Sequence, residues 1–301
     1  YTGGGFSRIS VNPSLSIIYK LNYAWRFTAH ASYKERYGEM TDLYDRPYQT
    51  DYRNSVWNCG ILPVYRQQLY SVYGEYKNTA REFFATVNLT HNREWYNRIY
   101  EQRIENGQVQ RVSLPLSNHG SGYTVKSTLS KGFYELGLKT SFLVLLNISK
   151  AEQISGGQRL PYQYRLMRLE PKVIWTPNRH WETSYQTDIR YGGNKIGERT
   201  RLAPLWNVTQ QVQLSYIFSP IEASLSVDHY HNDVNEDQSV NAVFADFSVS
   251  WKSGRWQITT TATNLFDKRT YAYTQYASLE SYTSWVRIRP REFLVAIRYQ
   301  L

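Results

Sequence analysis

At 301 residues, with 16% aromatics that include 27 Tyr and 9 Trp, the chain has the composition of strands rather than helices. No stretch approaches the roughly 18 apolar residues of a membrane helix, yet a mean hydropathy of −0.58 leaves a membrane barrel open, because only alternate residues of a barrel strand face lipid. The net charge of +10 is scattered without a basic run or nucleic-acid motif, which speaks against a nucleic-acid partner, and the single Cys59 excludes an internal disulfide and a cysteine zinc cage.

Period-two alternation runs from end to end. Patterns over about 14–21, 26–36, 67–77, 81–94 and 122–130 come first. Near 134, Leu136, Leu138, Phe142, Val144, Leu146 and Ile148 share a face with Thr140, opposite Glu135, Lys139, Ser141 and Asn147. After a segment at 164–176, Trp181, Tyr185, Ile189 and Tyr191 oppose Glu182, Ser184, Gln186, Asp188 and Arg190. A segment at 206–218 follows. Ile221, Ala223, Leu225 and Val227 then oppose Glu222, Ser224, Ser226 and Asp228, and Val243, Ala245, Phe247, Val249 and Trp251 oppose Asp246, Ser248 and Ser250. A segment at 255–264 precedes the clearest one, in which Phe293, Val295, Ile297, Tyr299 and Leu301 form one face. The expectation is an all-β fold of about thirteen antiparallel strands, several long enough to cross a membrane, since ten tilted residues span roughly 25 Å.

The connections alternate in length. Tight turns are expected at Asn22–Trp25, Lys77–Arg81, Lys131–Phe133, Thr176–His180, Ser219-Pro220 and Lys252–Arg255. Long loops are expected at about 37–66, 95–121, 151–163, 192–205, 231–240 and 265–289. A transmembrane β-barrel does this, with brief periplasmic turns and extended outer loops. With a periplasmic C-terminus, an odd count puts the start of the chain outside the cell, near Gly3, Gly4 and Gly5. Single-chain barrels of bacteria have even counts, so the expectation is a mature or partial chain that forms only part of the wall and lacks a plug.

The stretch TATNLFDKRTYAYTQY at 261–276 resembles the penultimate-strand signature of TonB-dependent outer-membrane receptors, and RPREFLVAIRYQL at 289–301 resembles their closing strand. The opening PSLSIIYKLNYAWRFTAHASYKERYGEMTDLYD at 13–45 is similar to their mid-barrel hairpin. One departure is Leu301, where that family commonly ends on an aromatic residue. The resemblance implies a 22-stranded barrel around an N-terminal plug, of which residues 1–301 form roughly the last thirteen strands. It implies an outer-membrane location among lipid and lipopolysaccharide, contact with TonB through the missing N-terminal part, and uptake of a small nutrient ligand. The rest of the barrel and the plug are then further partners, in the same protein or in a companion chain. It also implies that Phe293, Val295, Ile297, Tyr299 and Leu301 serve as the strand read by the insertion machinery; the plainer reading is that they face lipid.

Two long loops carry the candidate ligand-binding residues. They are Tyr44, Tyr48, Tyr52 and Trp57 in the first, and Trp95, Tyr96, Arg98, Tyr100 and Arg103 in the second. Tyr and Trp offer large amphipathic contact area and Arg can clamp an anion. The competing reading is an aromatic girdle with basic residues at lipid headgroups. Trp25, Trp175, Trp181 and Trp251 fall beside the tight turns, as a periplasmic girdle requires. His229 and His231 with Asp228 and Asp233 offer a metal or haem site, set against a solvated loop edge. No nucleophile elbow, phosphate loop or zinc-protease motif is present, so neither enzyme chemistry nor a cofactor is expected. Two rival classes stay open: another outer-membrane barrel, as a porin or barrel-borne enzyme, and a soluble all-β binding protein such as a sandwich lectin.

Overall fold

Alternating segments of this length must place one face in an apolar environment and the other in a polar one, and the structure shows how. The computed structural model describes residues 9–105, 108–197, 200–201, 203–235, 237–277 and 280–300; Gly3, Gly4, Gly5 and Leu301 lie outside them. Strands β1 (Ser14–Lys20) and β2 (Trp25–Tyr37) are followed by a short 3-10 turn at Met40–Leu43 and by the short β3 (Tyr48–Gln49) and β4 (Asn54–Trp57). Then come β5 (Val64–Asn78), β6 (Phe83–Tyr96), β7 (Ile99–Glu105), β8 (Gln108–Leu114) and β9 (Asn118–Phe133). The longest strands follow: β10 (Leu138–Ser155), β11 (Gln158–Asn178) and β12 (Trp181–Ile196). After the two-residue β13 (Thr200–Arg201) come β14 (Leu205–Phe218), β15 (Ile221–Asp233), β16 (Ser239–Ser253) and β17 (Trp256–Thr263). The chain closes with β18 (Thr270–Ala277), β19 (Glu280–Arg287) and β20 (Glu292–Tyr299).

Thirteen of these strands pair antiparallel in one continuous wall, in the order β1, β2, β5, β6, β9, β10, β11, β12, β14, β15, β16, β17, β20. Among the described residues β1 pairs with β2 alone and β20 with β17 alone, and every residue of both strands is exposed.

The register keeps the apolar face continuous. Val72, Leu89, Val125, Leu146, Met167 and Tyr191 lie on successive strands as directly paired neighbours. These side chains are not covered by another layer. Among the described residues the buried hydrophobic side chains, Pro63 apart, are Ile99, Val112, Ile154, Leu205 and four alanines, so the apolar faces do not meet in a dry core. An exposed belt of this extent far exceeds the few hundred Å² tolerated on a water-soluble monomer. The opposite face is polar and internally paired: Ser224 with Ser248 at 2.8 Å, Ser250 with Thr259 at 3.1 Å, and Arg168 with both oxygens of Asp188 at 3.1 Å.

At the rim of short turns the apolar face ends in aromatic rings. Trp25 packs on Tyr76 at 4.7 Å, Trp181 on Tyr216 at 4.6 Å and Trp256 on Tyr299 at 4.8 Å. Trp175 and Trp251 sit at the same end, half-exposed.

Several expected connections differ. The loop expected at 151–163 is strand: β10 and β11 run on to Ser155 and Gln158 around Gly156 and Gly157, at φ 57° and 75°. Two consecutive left-handed residues make the tight turn whose twist suits a hairpin. The turn expected at Lys131–Phe133 falls instead at Tyr134–Gly137, because β9 continues to Phe133. The loop at 95–121 folds as the β7–β8 hairpin. The long connection at 265–289 forms the β18–β19 hairpin, which packs on the polar face of the wall. It is fixed there by buried Asn232, whose side-chain amide donates to the Ala272 carbonyl at 3.1 Å, and by the Thr274 hydroxyl, which donates to the Val234 carbonyl at 3.1 Å.

Candidate functional site

The two long loops meet over the wall. β4 pairs in parallel with β8, β8 pairs with β7, and β7 reaches the end of β10, where Glu101 lies opposite Ile154. Ile99, Val112 and Ile154 are buried where this roof joins the wall, giving it a small core of its own. Asparagines tie the ends of the loops: Asn97 accepts from the Val64 N–H at 2.8 Å and donates to the Leu62 carbonyl at 3.0 Å, while buried Asn58 donates to the Thr41 carbonyl at 3.1 Å. Gly38 accepts crowding that no Cβ could, since one built there meets Asp42 Oδ2 at 2.4 Å.

Between roof and wall lies a cavity of 840 Å³. Its roof side carries Asp51, Arg98, Tyr100 and Arg111, and its wall side Asn92, Glu94, Tyr96, Asn118 and Tyr162. That volume suits a small-molecule ligand, which pockets of about 300–1,000 Å³ enclose. Glu94 is the most connected group. Its carboxylate accepts from the Tyr65 hydroxyl at 3.1 Å, Gln67 at 3.1 Å, Asn92 at 2.9 Å and the Tyr96 hydroxyl at 2.9 Å. Three of these donors meet at one carboxylate oxygen and the fourth at the other, which fixes the orientation of the side chain.

The cations sit across from it on an aromatic platform. Arg98 donates to Asp42 at 2.8 Å and lies 5.0 Å from the Tyr100 ring centre, while Arg111 stands 3.7 Å from the same ring. Arg111 makes no ion pair among the described residues, so its guanidinium is a fixed positive charge facing the cavity. Burial works to raise the Asp42 carboxyl, but the Arg98 guanidinium and the Glu39 N–H outweigh it and hold it below the usual carboxylate range. Burial raises the Tyr100 phenol against the opposing pull of Arg98 and Arg111, so it stays neutral. Phenol hydroxyls, guanidinium groups held on an aromatic ring and a well-anchored carboxylate can bind and orient a polar ligand.

The nine residues singled out in the two loops are only partly brought together. Tyr96, Arg98 and Tyr100 line the cavity. Tyr44 packs edge-on against Tyr48 at 6.1 Å, and Trp57 donates to Asp45 at 3.1 Å, both on the outside of the roof. Tyr52 is 79% exposed, with Arg53 over its ring. Arg103 pairs with Glu101 at 2.7 Å, and Trp95 lies on the apolar face of β6, away from the cavity. Sequence reasoning missed Glu94, Arg111 and Tyr162. Their alternation marks an inward face, but nothing local separates a site residue from ordinary lining.

His229 and His231 lie on the apolar face of β15, whereas Asp228 points to the other side. His231 bonds Asn241 at 2.9 Å and pairs with Asp233 at 3.4 Å, and no group of three or more metal-binding side chains gathers among the described residues.

A single antiparallel wall, apolar outside and polar inside, with an aromatic rim, is the architecture of an outer-membrane β-barrel. The fold is similar to that of the ferric yersiniabactin uptake receptor FyuA from Yersinia pestis, with a TM-score of 0.50 and 8% identity over 96% of this chain and 50% of FyuA. FpvA of P. aeruginosa, solved with a heterologous pyoverdine, aligns at a TM-score of 0.49 and 10% identity over 95% of this chain and 44% of its own. The siderophore receptor PirA from Acinetobacter baumannii aligns at 0.43 and 8%, over 84% and 52%. The chain thus spans about half the length of these receptors. No family model and no curated protein matches it in sequence.

Proposed function

We propose that this chain is the C-terminal part of the barrel of a TonB-dependent outer-membrane receptor, and that the receptor takes up a scarce nutrient and performs no chemistry on it. The short turns then face the periplasm and the roof faces outward. The observation that carries the reading is the polar cavity beneath the roof, where Arg111, which makes no ion pair among the described residues, stands beside Tyr96, Tyr100 and Tyr162. Such a set recognises a polar, multiply hydrogen-bonding ligand, and the candidate is a ferric chelate, the kind of cargo that the name of FyuA, a ferric yersiniabactin uptake receptor, gives for that protein. The plug, the TonB contact and the remaining wall belong to other parts of the receptor. Residues Phe293, Val295, Ile297 and Tyr299 of β20 act as the strand that the insertion machinery reads, their alternate exposed side chains being the feature available for recognition.

The test is uptake of iron-loaded siderophores by cells carrying the receptor, with and without a protonmotive uncoupler. Active uptake stops on uncoupling, and Arg111→Ala raises the half-saturating concentration about tenfold, the value of one charge-assisted contact. Flux that persists after uncoupling identifies a passive channel. Uptake indifferent to Arg111→Ala and Tyr96→Phe together places the ligand elsewhere.

A further inference from the structure

The cavity beneath the roof carries charges of both signs that do not neutralise one another. Of the cations lining it, Arg98 is engaged by Asp42, and Lys150 projects from the other face of β10 alongside Leu146 and Ile148. Of the acids, Glu152 pairs with Arg159 at 2.8 Å, and Asp51 at the exposed lip accepts three bonds from Arg53 and Asn54. That leaves Arg111 on the roof and Glu94 on the wall, and among the described residues neither makes an ion pair. Each is held on its own side, Arg111 against the Tyr100 ring at 3.7 Å and Glu94 by Tyr65, Gln67, Asn92 and Tyr96. Opposite charges kept apart across a cavity forgo their mutual attraction, and a ligand with complementary charges restores it.

The wall side also holds open acceptors. A carboxylate oxygen has two lone-pair sites, and Oε2 of Glu94 receives a single donor, the Tyr96 hydroxyl at 2.9 Å. Gly120 lies directly opposite Glu94 on β9, and a Cβ built there would stand 3.7 Å from that oxygen, so glycine keeps the approach to it clear. Two residues along the same strand, Asn118 donates its side-chain N–H to the Glu152 carbonyl at 3.0 Å, while its Oδ1 is buried and has no hydrogen-bond partner. A buried acceptor in that state is unfavourable until a donor reaches it. An ammonium group carries three N–H donors and can serve both oxygens at once, whereas a hydroxyl carries one.

We propose that Glu94 and Asn118 form a subsite for a primary ammonium group, with Arg111 receiving an anionic group at the other end of the same ligand, so that the cavity selects zwitterions. The inference rests on the ligand-binding reading above and adds the charge pattern that the ligand must carry.

The test uses the full-length receptor purified in detergent and four ferric chelates built on one linear trihydroxamate. The first has a free ammonium at one end and a carboxylate at the other; the second is its N-acetyl derivative, the third its methyl ester, and the fourth carries both caps. Titration calorimetry gives the four affinities. The zwitterion is expected to bind the wild type at least about tenfold tighter than either singly capped form, as for a charge-assisted hydrogen bond. Glu94→Gln should erase the preference over the N-acetyl form and keep that over the ester, and Arg111→Gln should do the reverse. Asn118→Ala, which leaves the carboxylate in place, should cut the ammonium preference roughly threefold or more. The doubly capped chelate, which uses neither charge, should bind all four proteins alike. If Glu94→Gln loses that chelate too, Asn118→Ala decides. Equal wild-type affinity for the zwitterion and the N-acetyl form overturns the proposal, as does an ammonium preference undiminished in Asn118→Ala or tighter binding of the ester. A wild-type receptor that binds none of the four refutes the ligand reading and this subsite together, whereas one that binds all four alike refutes the subsite alone.

Discussion

Replacing Arg98 by Ala is expected to loosen the roof without touching the wall. Arg98 bonds Asp42 at 2.8 Å, with the two side chains 17% and 21% exposed, and so joins the 3-10 turn of one loop to the start of the β7–β8 hairpin of the other. An exposed ion pair contributes about 0–1 kcal/mol and a covered charged hydrogen bond about 1.5–3 kcal/mol, so a contact this well covered is set at about 1.5 kcal/mol. Loss of the stack on Tyr100 adds roughly 0.5 kcal/mol. Together, about 2 kcal/mol raises the opening equilibrium of the roof roughly 30-fold. Hydrogen exchange followed by mass spectrometry reads this directly: amides of β4 and β8 should exchange about 30-fold faster while those of β14–β16 keep their protection. Unchanged exchange in the roof, or acceleration spread evenly over the wall, refutes the reasoning. The same contact fixes a pH dependence. The folded-state pKa of Asp42 is depressed, so its contribution is complete above the ordinary aspartate value of 3.8 and disappears as pH falls through the lower folded-state value. Roof protection should therefore hold level through neutral and mildly acidic pH and fall only below that value, with a shallower fall in Arg98→Ala.

Leu146→Arg places a charge in the middle of the belt and should cost about 2–4 kcal/mol of unfolding free energy in lipid vesicles, whereas Asn147→Arg on the inward face should cost under about 1 kcal/mol; equal costs would contradict the assignment of faces. Gly137→Ala should lower the denaturation midpoint well beyond Gly156→Ala, because both glycines have positive φ but only the first would drive a Cβ to 2.1 Å from the Thr176 carbonyl oxygen; coincident midpoints would show that this turn yields. Asn232→Ala removes the buried amide that holds Ala272, so exchange in β18 should rise roughly tenfold, at about 1.5 kcal/mol, with β15 unaffected; an unmoved hairpin would mean that the Thr274 bond to Val234 suffices.

The wall was legible in the sequence because lipid on one side and water on the other imprint strict alternation, and thirteen expected strands became thirteen wall strands. The same physics explains what stayed hidden. Where β10 and β11 rise past Lys150 and Gln163 they leave the apolar medium, the alternation lapses, and a polar hairpin closed by Gly156 and Gly157 reads as loop. The roof depends on a parallel pairing of β4 with β8, between segments some fifty residues apart, and short strands carry no mark of a distant partner. Arg111 acquires meaning only from neighbours that this pairing delivers, and Glu94 from donors on the adjacent wall strand β5 as well as its own. Tyr96, Arg98 and Tyr100 were found because an aromatic-rich loop next to arginines is a compositional signal as well as a spatial one.

Among the described residues the outer flanks of β1 and β20 have no strand partner, which sets a condition on how the wall enters a membrane. Each presents a row of amide and carbonyl groups that water can satisfy and hydrocarbon cannot, at several kcal/mol apiece. Insertion therefore has to be simultaneous with the joining of these seams, to one another or to whatever strands complete the ring. A lateral opening at that seam would be the most expensive deformation this wall could undergo in a bilayer.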